Sequence, residues 1–444
     1  MLYLSMVAQG EPVNTFGQSV GRPADAQKSD APKSAGQSAE QPAVAPSSPR
    51  VSATDADASH CIGTLDIGGT WIRAAIVTPA GEILVRSRRP LPTSEGGRAV
   101  VDTCLDALGE ARMRTGCHTL ERIGVSVTGP VDPRTGKLFT PPNTGPVLAG
   151  LELGEALSRA ACLEVRVDRD TNAAALGEHR CGSARGTANF VFITVSTGVG
   201  GAVMLDGRLI RGADGVAGEI GHICVERGGP RCGCGRRGCV EAIASGPSIA
   251  RRAEAELRAA EGAELRAAEG AELRAAEGFA QTRAVTKSVE GSAAAASVAA
   301  RAGEAVAAPI SSQASSTSPQ ASSISSQALS FSSQTSSPLA ERLRSGRPLT
   351  GKDVDECAAA GDPHAIRALD AAAAAVAGMC VDMANVFNPE RIVVGGSVAI
   401  THPDWIARAS ELVAREALVP ANREGIVVPA ELGDDVSLVG AAFL

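Results

Sequence analysis

Residues 61–91 read CIGTLDIGGTWIRAAIVTPAGEILVRSRRPL, and the first turn in this stretch decides the architecture. The apolar run CIGTLDI stops at Gly68-Gly69-Thr70 and restarts as WIRAAIV, which predicts two strands around a glycine-rich bend. A second turn at Pro79 to Gly81 leads into a third strand. Glycine amides, with no Cβ in the way, and the Thr70 hydroxyl can together face a phosphate. Asp66, Gly68, Gly69 and Thr70 are therefore a candidate phosphate loop.

The segments that follow alternate in type. A helix is expected over residues 97–115, a strand at ERIGVSVTGPV, a helix over 154–162, a strand at VRVDRD, a helix over 171–182 and a hairpin-like pair in NFVFITVSTGVGGAVMLDGRLI. From about residue 349 the pattern gives two helices, a turn at Asn388-Pro389, a buried strand, a Gly-Gly bend, a helix over 403–418 and a short strand in VSLVGAAFL. Strands alternating with helices define an α/β class. Two of the bends repeat the first: Ser196-Thr197-Gly198-Val199-Gly200-Gly201, and Gly395-Gly396 after a buried strand. Three such turns in three separate segments suggest a nucleotide held between two halves, with Thr197, Gly198, Gly200, Gly395 and Gly396 among its contacts.

Residues 221–241 read GHICVERGGPRCGCGRRGCVE. His222, Cys232, Cys234 and Cys239 offer one imidazole and three thiolates, a donor set suited to a tetrahedral zinc ion, and the intervening glycines let the chain fold back on itself. Four protein ligands leave no open position, so such a zinc would shape a pocket rather than activate water. Asp170 closes the strand VRVDRD at a helix start; it could cap that helix, or act as a general base on a hydroxyl attacking a γ-phosphate. Glu219 and Glu241 flank the cysteine loop, and paired carboxylates that accept hydrogen bonds from vicinal hydroxyls suit a sugar.

The chain has 444 residues, 44% of them hydrophobic, with a net charge of -7. That length suggests two or three domains, and the acidic balance disfavours a general nucleic-acid surface. Eleven cysteines, scattered apart from those near the cysteine loop, are expected to be reduced thiols of a cytoplasmic protein. No membrane span or signal peptide is expected. Residues 1–60, rich in Ala, Ser, Pro and Gln, are expected to be a disordered extension. Residues 255–278 repeat AELRAAEG three times, and a Ser/Gln/Ala tract follows at 311–338. The eight-residue period is not a heptad and each repeat carries a glycine, so about 251–340 is expected to be a low-complexity insertion in a surface loop.

Taken in order, DIGGT, VTGPVDPRTG, PPN, DTNAAALGE, STGVGGAV, GEIGH, CGCGRRGCVE and IVVGGSV resemble the motifs of the ROK family, the repressor, open-reading-frame and kinase group. The resemblance implies the two-lobed, actin-like ATPase fold shared by sugar kinases and heat-shock chaperones, with a cleft between an N-terminal lobe over 61–170 and a C-terminal lobe over 171–444. It further implies ATP with Mg2+, a structural Zn2+, a hexose or N-acetylhexosamine acceptor, and a homodimer. Position by position, Asp170 matches the catalytic base, Gly129 and Asn143 match residues lining the sugar side, and Glu219, His222 and Glu241 match residues that hold sugar hydroxyls. The expected activity is phosphorylation of the 6-hydroxyl of glucose. The alternatives are a kinase for N-acetylmannosamine, N-acetylglucosamine or fructose, or a sugar-sensing repressor, which would need a helix-turn-helix that the proline-broken residues 1–60 do not suggest. Two positions depart from the family pattern: Arg169 stands where Asn commonly precedes the base, and Trp71 where Lys commonly follows DIGGT.

Overall fold

A computed structural model describes residues 60–117, 119–139, 146–300 and 337–444. In chain order the first half comprises β1 (His60–Ile67), β2 (Trp71–Val77), β3 (Ile83–Pro90), α1 (Gly96–Met113), β4 (Thr119–Val127), β5 (Val131–Asp132), β6 (Lys137–Leu138), α2 (Leu153–Ala161) and β7 (Glu164–Arg169). The second half comprises α3 (Asp170–Cys181), β8 (Phe190–Val195), β9 (Val199–Leu205), β10 (Arg208–Leu209), α4 (Glu241–Ala244), α5 (Gly246–Ala300), α6 (Pro338–Arg344), α7 (Gly351–Ala359), α8 (Pro363–Phe387), β11 (Arg391–Gly395), α9 (Pro403–Glu416), β12 (Val427–Pro429) and α10 (Val436–Ala441).

The strands form two five-stranded sheets, ordered β3-β2-β1-β4-β7 and β10-β9-β8-β11-β12. Each starts from an antiparallel hairpin and extends by parallel strands: β1 pairs antiparallel with β2 and parallel with β4, and β8 pairs antiparallel with β9 and parallel with β11. β1 is apolar almost throughout because it is central and covered on both faces, by α1 on one and α10 on the other. Parallel strands that end together bring their C-terminal turns to one edge. Both sheets therefore present their glycine turns at that edge, where ligands of open α/β sheets bind.

The core of the second half gathers around α8, whose run of alanines lets α4, α5, α7 and α9 approach closely. This helix is long and apolar enough to cross a membrane by length and composition, and half of its most apolar stretch is buried inside the protein. Asp362 caps its start by accepting hydrogen bonds from the His364 and Ala365 amides, with Pro363 in the first turn. Asn388 ends it in the left-handed region at φ 44°.

Three differences from the sequence reading stand out. The octapeptide repeat is helical, within α5, and not a loop. Ala, Glu, Leu and Arg are strong helix formers that outweigh one glycine per repeat, and i,i+4 pairs such as Arg258 with Glu254 add to them. Eight residues advance a helix by about 80° beyond two turns, so equivalent positions rotate around the axis. Leu257 is accordingly in the core while Leu265 and Leu273 are exposed. The expected terminal strand in VSLVGAAFL is instead α10, and the late strand lies earlier, at β12. Lastly, α10 joins the two halves: it packs most extensively on α3 and returns to β1 and β4 of the first sheet. The expected disordered extension, apart from His60 in β1, and the stretch 301–336 lie outside the described residues.

Glycine makes the α10 contact possible. A Cβ on Gly440 would lie 1.7 Å from the Ala173 carbonyl oxygen, and one on Gly124 1.8 Å from that of Ala441. Both neighbours are backbone and cannot swing aside. Gly440→Ala is expected to destabilise the protein by about 3 kcal/mol, the upper end of overpacking costs, and a urea titration monitored by circular dichroism reads this directly. An unchanged midpoint would show that α10 can lift off without cost.

Candidate functional site

Asp170 is the first residue of α3, directly after β7. Its carboxylate accepts the Thr171 amide at 2.7 Å on Oδ1 and the Thr128 hydroxyl at 3.2 Å on Oδ2. Thr128 is placed by its own amide, which donates to the Ile67 carbonyl at the end of β1. Asp170 therefore stands where β1, β4 and β7 end together. Burial, and next the charge of Asp66, push its carboxyl up from 3.8 to about 6, against the opposing hydrogen bonds and Arg169. A base that titrates near neutrality is poised for proton transfer.

The first turn sits beside it. Asp66 accepts Arg73 through Nε at 2.9 Å and a terminal nitrogen at 2.6 Å, both on Oδ2, and the Ser126 hydroxyl at 2.7 Å on Oδ1. The turn is closed by the Gly68 amide donating to the Trp71 carbonyl at 3.0 Å, and Gly69 and Thr70 are exposed. Trp71 points out under the Arg88 guanidinium, 4.8 Å from the ring centre. Arg73 also donates to the Asp434 carbonyl at 2.8 Å.

The second and third turns meet each other. β8 and β11 are neighbours, so Ser196 and Ser397 hydrogen-bond through their hydroxyls at 2.8 Å, and the Val398 amide reaches the Val195 carbonyl at 3.0 Å. Gly396, which follows Gly395, has φ 93°, and a Cβ there would lie 2.4 Å from the Val195 carbonyl oxygen. Thr197 is exposed at the tip, next to Gly198. Gly200 lies against the start of α3, since a Cβ on it would meet the Thr171 methyl at 2.9 Å. That contact ties β9 of the second sheet to the helix that carries Asp170.

In the cysteine loop the His222, Cys232, Cys234 and Cys239 ligand atoms all lie within 4.8 Å of one another. His222 Nδ1 is 3.6 Å from Cys232 Sγ, and the sulfurs of Cys234 and Cys239 are 3.7 Å apart. A tetrahedron with zinc–sulfur bonds of about 2.3 Å has edges of about 3.8 Å, so the four residues fit a zinc ion. A disulfide between Cys234 and Cys239 would need a separation near 2.05 Å. Glu241 accepts the Val199 amide at 3.2 Å through one oxygen and the Cys232 thiol at 3.7 Å through the other, linking this loop to the second turn. The other imidazole nitrogen of His222 is 3.9 Å from Glu219 Oε2.

Arg169 is the residue whose role the sequence did not reveal. Its side chain is 5% exposed, its guanidinium donates to the carbonyls of Val216, Ala217 and Gly201 and to the Thr171 hydroxyl, and one terminal nitrogen forms an ion pair with Glu219 Oε1 at 3.0 Å. Ser126 also carried no sequence signal beyond lying beside the VTGPVDPRTG motif, which contains Thr128. Gly129, at φ 108°, follows Thr128 immediately. Asn143 lies outside the described residues.

The ROK family model matches residues 62–322 and 320–444. The glucokinase of Halalkalibacterium halodurans is 29% identical over 386 residues, which are 86% of this chain and 93% of that protein. The N-acetylmannosamine kinase of Pasteurella multocida is 40% identical over 185 residues, or 42% of this chain and 60% of that protein. Among solved structures, a ROK family glucokinase from Streptomyces griseus in complex with glucose and AMPPNP superposes with a TM-score of 0.58 at 26% identity, covering 86% of this chain and 98% of that one.

Proposed function

Because the chain belongs to the ROK family, we propose that it is an ATP-dependent sugar kinase that transfers the γ-phosphate to the 6-hydroxyl of a hexose, with glucose as the first candidate. The observation that carries this reading is Asp170, a carboxylate that titrates at about 6 where the first sheet's strand ends meet β9 of the second. Asp170 takes the proton from the sugar hydroxyl as its oxygen attacks the γ-phosphorus and the bond to the bridging oxygen of ADP breaks. Asp66, Gly68, Gly69 and Thr70 face the phosphates from the first sheet, and Thr197, Gly198, Gly200, Gly395 and Gly396 from the second. Magnesium carried with the nucleotide offsets the phosphate charge.

The sugar is assigned to the side bounded by Gly129, Glu219, His222 and Glu241, and Asn143 joins them by the family resemblance alone. Zinc on His222, Cys232, Cys234 and Cys239 would hold the loop that carries these groups. His222 suits both tasks, because Nδ1 faces the cysteines and Nε2 faces Glu219.

A second reading, an N-acetylmannosamine kinase, is favoured by the higher identity to the Pasteurella multocida enzyme over 185 residues. ADP release measured with glucose, mannose, fructose, N-acetylglucosamine and N-acetylmannosamine separates the two. We expect the preferred sugar to exceed the others by at least about tenfold in kcat/KM, the discrimination one missing or added contact supplies. No turnover on any of them, with sugar binding intact by calorimetry, would make the protein a sugar sensor.

A further inference from the structure

We propose that Arg169 is a positioning residue that fixes Glu219 in the sugar-facing site and thereby sets which hexoses bind. The inference rests on the reading of the chain as a sugar kinase. Where a neutral amide commonly precedes the base, the guanidinium of Arg169 carries donors only. It turns instead toward the second sheet. Its donors hold the Val216 and Ala217 carbonyls, the Gly201 carbonyl of β9 and the Thr171 hydroxyl, so the segment just before Glu219 is fastened to the strand beside it.

Glu219 is the anionic partner of this buried cation, and its own side chain is 51% exposed. Oε1 is ion-paired with an Arg169 terminal nitrogen at 3.0 Å, while Oε2 lies 3.9 Å from His222 Nε2. The carboxylate is thus drawn to the cation on one oxygen and offered on the other. A substrate meets one fixed acceptor instead of a freely rotating pair, which rewards a hydroxyl in one orientation and forfeits bidentate binding of two.

The test is steady-state kinetics of the full chain against the sugar panel for wild type, Arg169→Gln, Arg169→Lys, Glu219→Gln and the double variant Arg169→Gln/Glu219→Gln, with melting temperatures alongside. Arg169→Gln is expected to raise the KM of the preferred sugar about tenfold, with kcat within about threefold and the ATP KM unchanged. Glu219→Gln should reproduce that rise, the double variant should be no worse than the worse single one, and Arg169→Lys should recover part of the loss, since it keeps the charge without the fork. The ratio between epimeric sugars should narrow in all four. A sugar KM within twofold of wild type in folded Arg169→Gln, or additive losses in the double variant, overturns the proposal while the kinase reading stands. Should Arg169→Gln not fold, an unchanged sugar KM in Glu219→Gln overturns it equally. Wild type inactive on every sugar removes both.

Discussion

Asp170→Asn is expected to lower kcat by roughly 10²- to 10⁴-fold, the range a positioned general base supplies, while leaving sugar and ATP binding by calorimetry within a few fold. Asn keeps the shape, its Oδ1 can still accept from the Thr171 amide and its Nδ2 can donate to the Thr128 hydroxyl oxygen, so the loss isolates the proton transfer. Wild-type kcat/KM should rise with pH and level off above a midpoint near the 6 at which Asp170 titrates, falling about tenfold per pH step below it, because only the ionised carboxylate can take the hydroxyl proton. The same group carries a stability signature of opposite sense. A carboxyl raised from 3.8 to about 6 in the fold favours its protonated form there, so its contribution to stability is present below about 4 and is lost as pH rises through 6. Above that pH the buried charge costs on the order of 2–3 kcal/mol. Asn removes the cost, so the inactive variant should melt several degrees higher than wild type at pH 8 and at nearly the same temperature at pH 4. A variant that keeps more than a tenth of wild-type kcat, or a flat pH profile between 5 and 8, would show that Asp170 is a helix-start residue and no more.

What the sequence made legible follows from which physics is local. The glycine turns could be read because a strand that ends in a tight bend writes glycine at fixed places, and all three lie at strand ends, although Val199 to Gly201 of the second already belong to β9. The cysteine loop could be read for the same reason: four ligands within a short stretch converge whatever surrounds them. Arg169 could not be read, because its partners at Thr171, Gly201, Val216, Ala217 and Glu219 are assembled only by the pairing of β8 with β9 and the return of the segment before Glu219. The α10 helix was misread as a strand because VSLVGAAFL is short and apolar, and short apolar runs do not reveal their period. Its place was fixed by Gly440 and Gly124, whose missing side chains signal nothing until a neighbour's backbone is brought against them. In α5 the error ran the other way: one glycine per repeat was weighed as a helix breaker, whereas the summed propensity of the other seven residues decides.

Removing one thiolate from the cysteine loop is expected to act on both binding sites at once. The purified protein should carry about one zinc per chain by elemental analysis, and Cys239→Ser should carry almost none, because the remaining ligands Cys234, Cys232 and His222 leave a tetrahedral site open to water. Cys239 is fully buried and packs with Cys232 and Ala242, so its hydroxyl replacement also leaves a polar group without a metal to satisfy it. The loop's other ties are mainly its own backbone hydrogen bonds, among them Val225 to Gly238, Cys232 to Arg236, Gly238 to Pro230 and Val240 to Ile223, with an Arg252–Glu226 ion pair at its rim. Without the metal it should loosen, lowering the melting temperature by roughly 10 °C, as expected when a structural metal worth several kcal/mol is lost. Catalysis should suffer beyond stability, for a geometric reason. Glu241 follows the loop directly and spans from Cys232 to the Val199 amide of the second turn, and His222 spans from Cys232 to Glu219. Freeing the loop therefore releases both carboxylates assigned to the sugar, and with Glu241 the tie to the second turn, so both the sugar KM and the ATP KM should rise, by roughly 10- to 100-fold each. Thiol labelling supplies the independent readout: Cys232, Cys234 and Cys239 should resist a maleimide until a chelator is added, although Cys234 is exposed. A wild-type protein whose Cys234 labels at once, whose zinc content is near zero and whose kinetics survive Cys239→Ser would mean that the loop holds its shape by backbone pairing alone, with the histidine facing the sugar unaided.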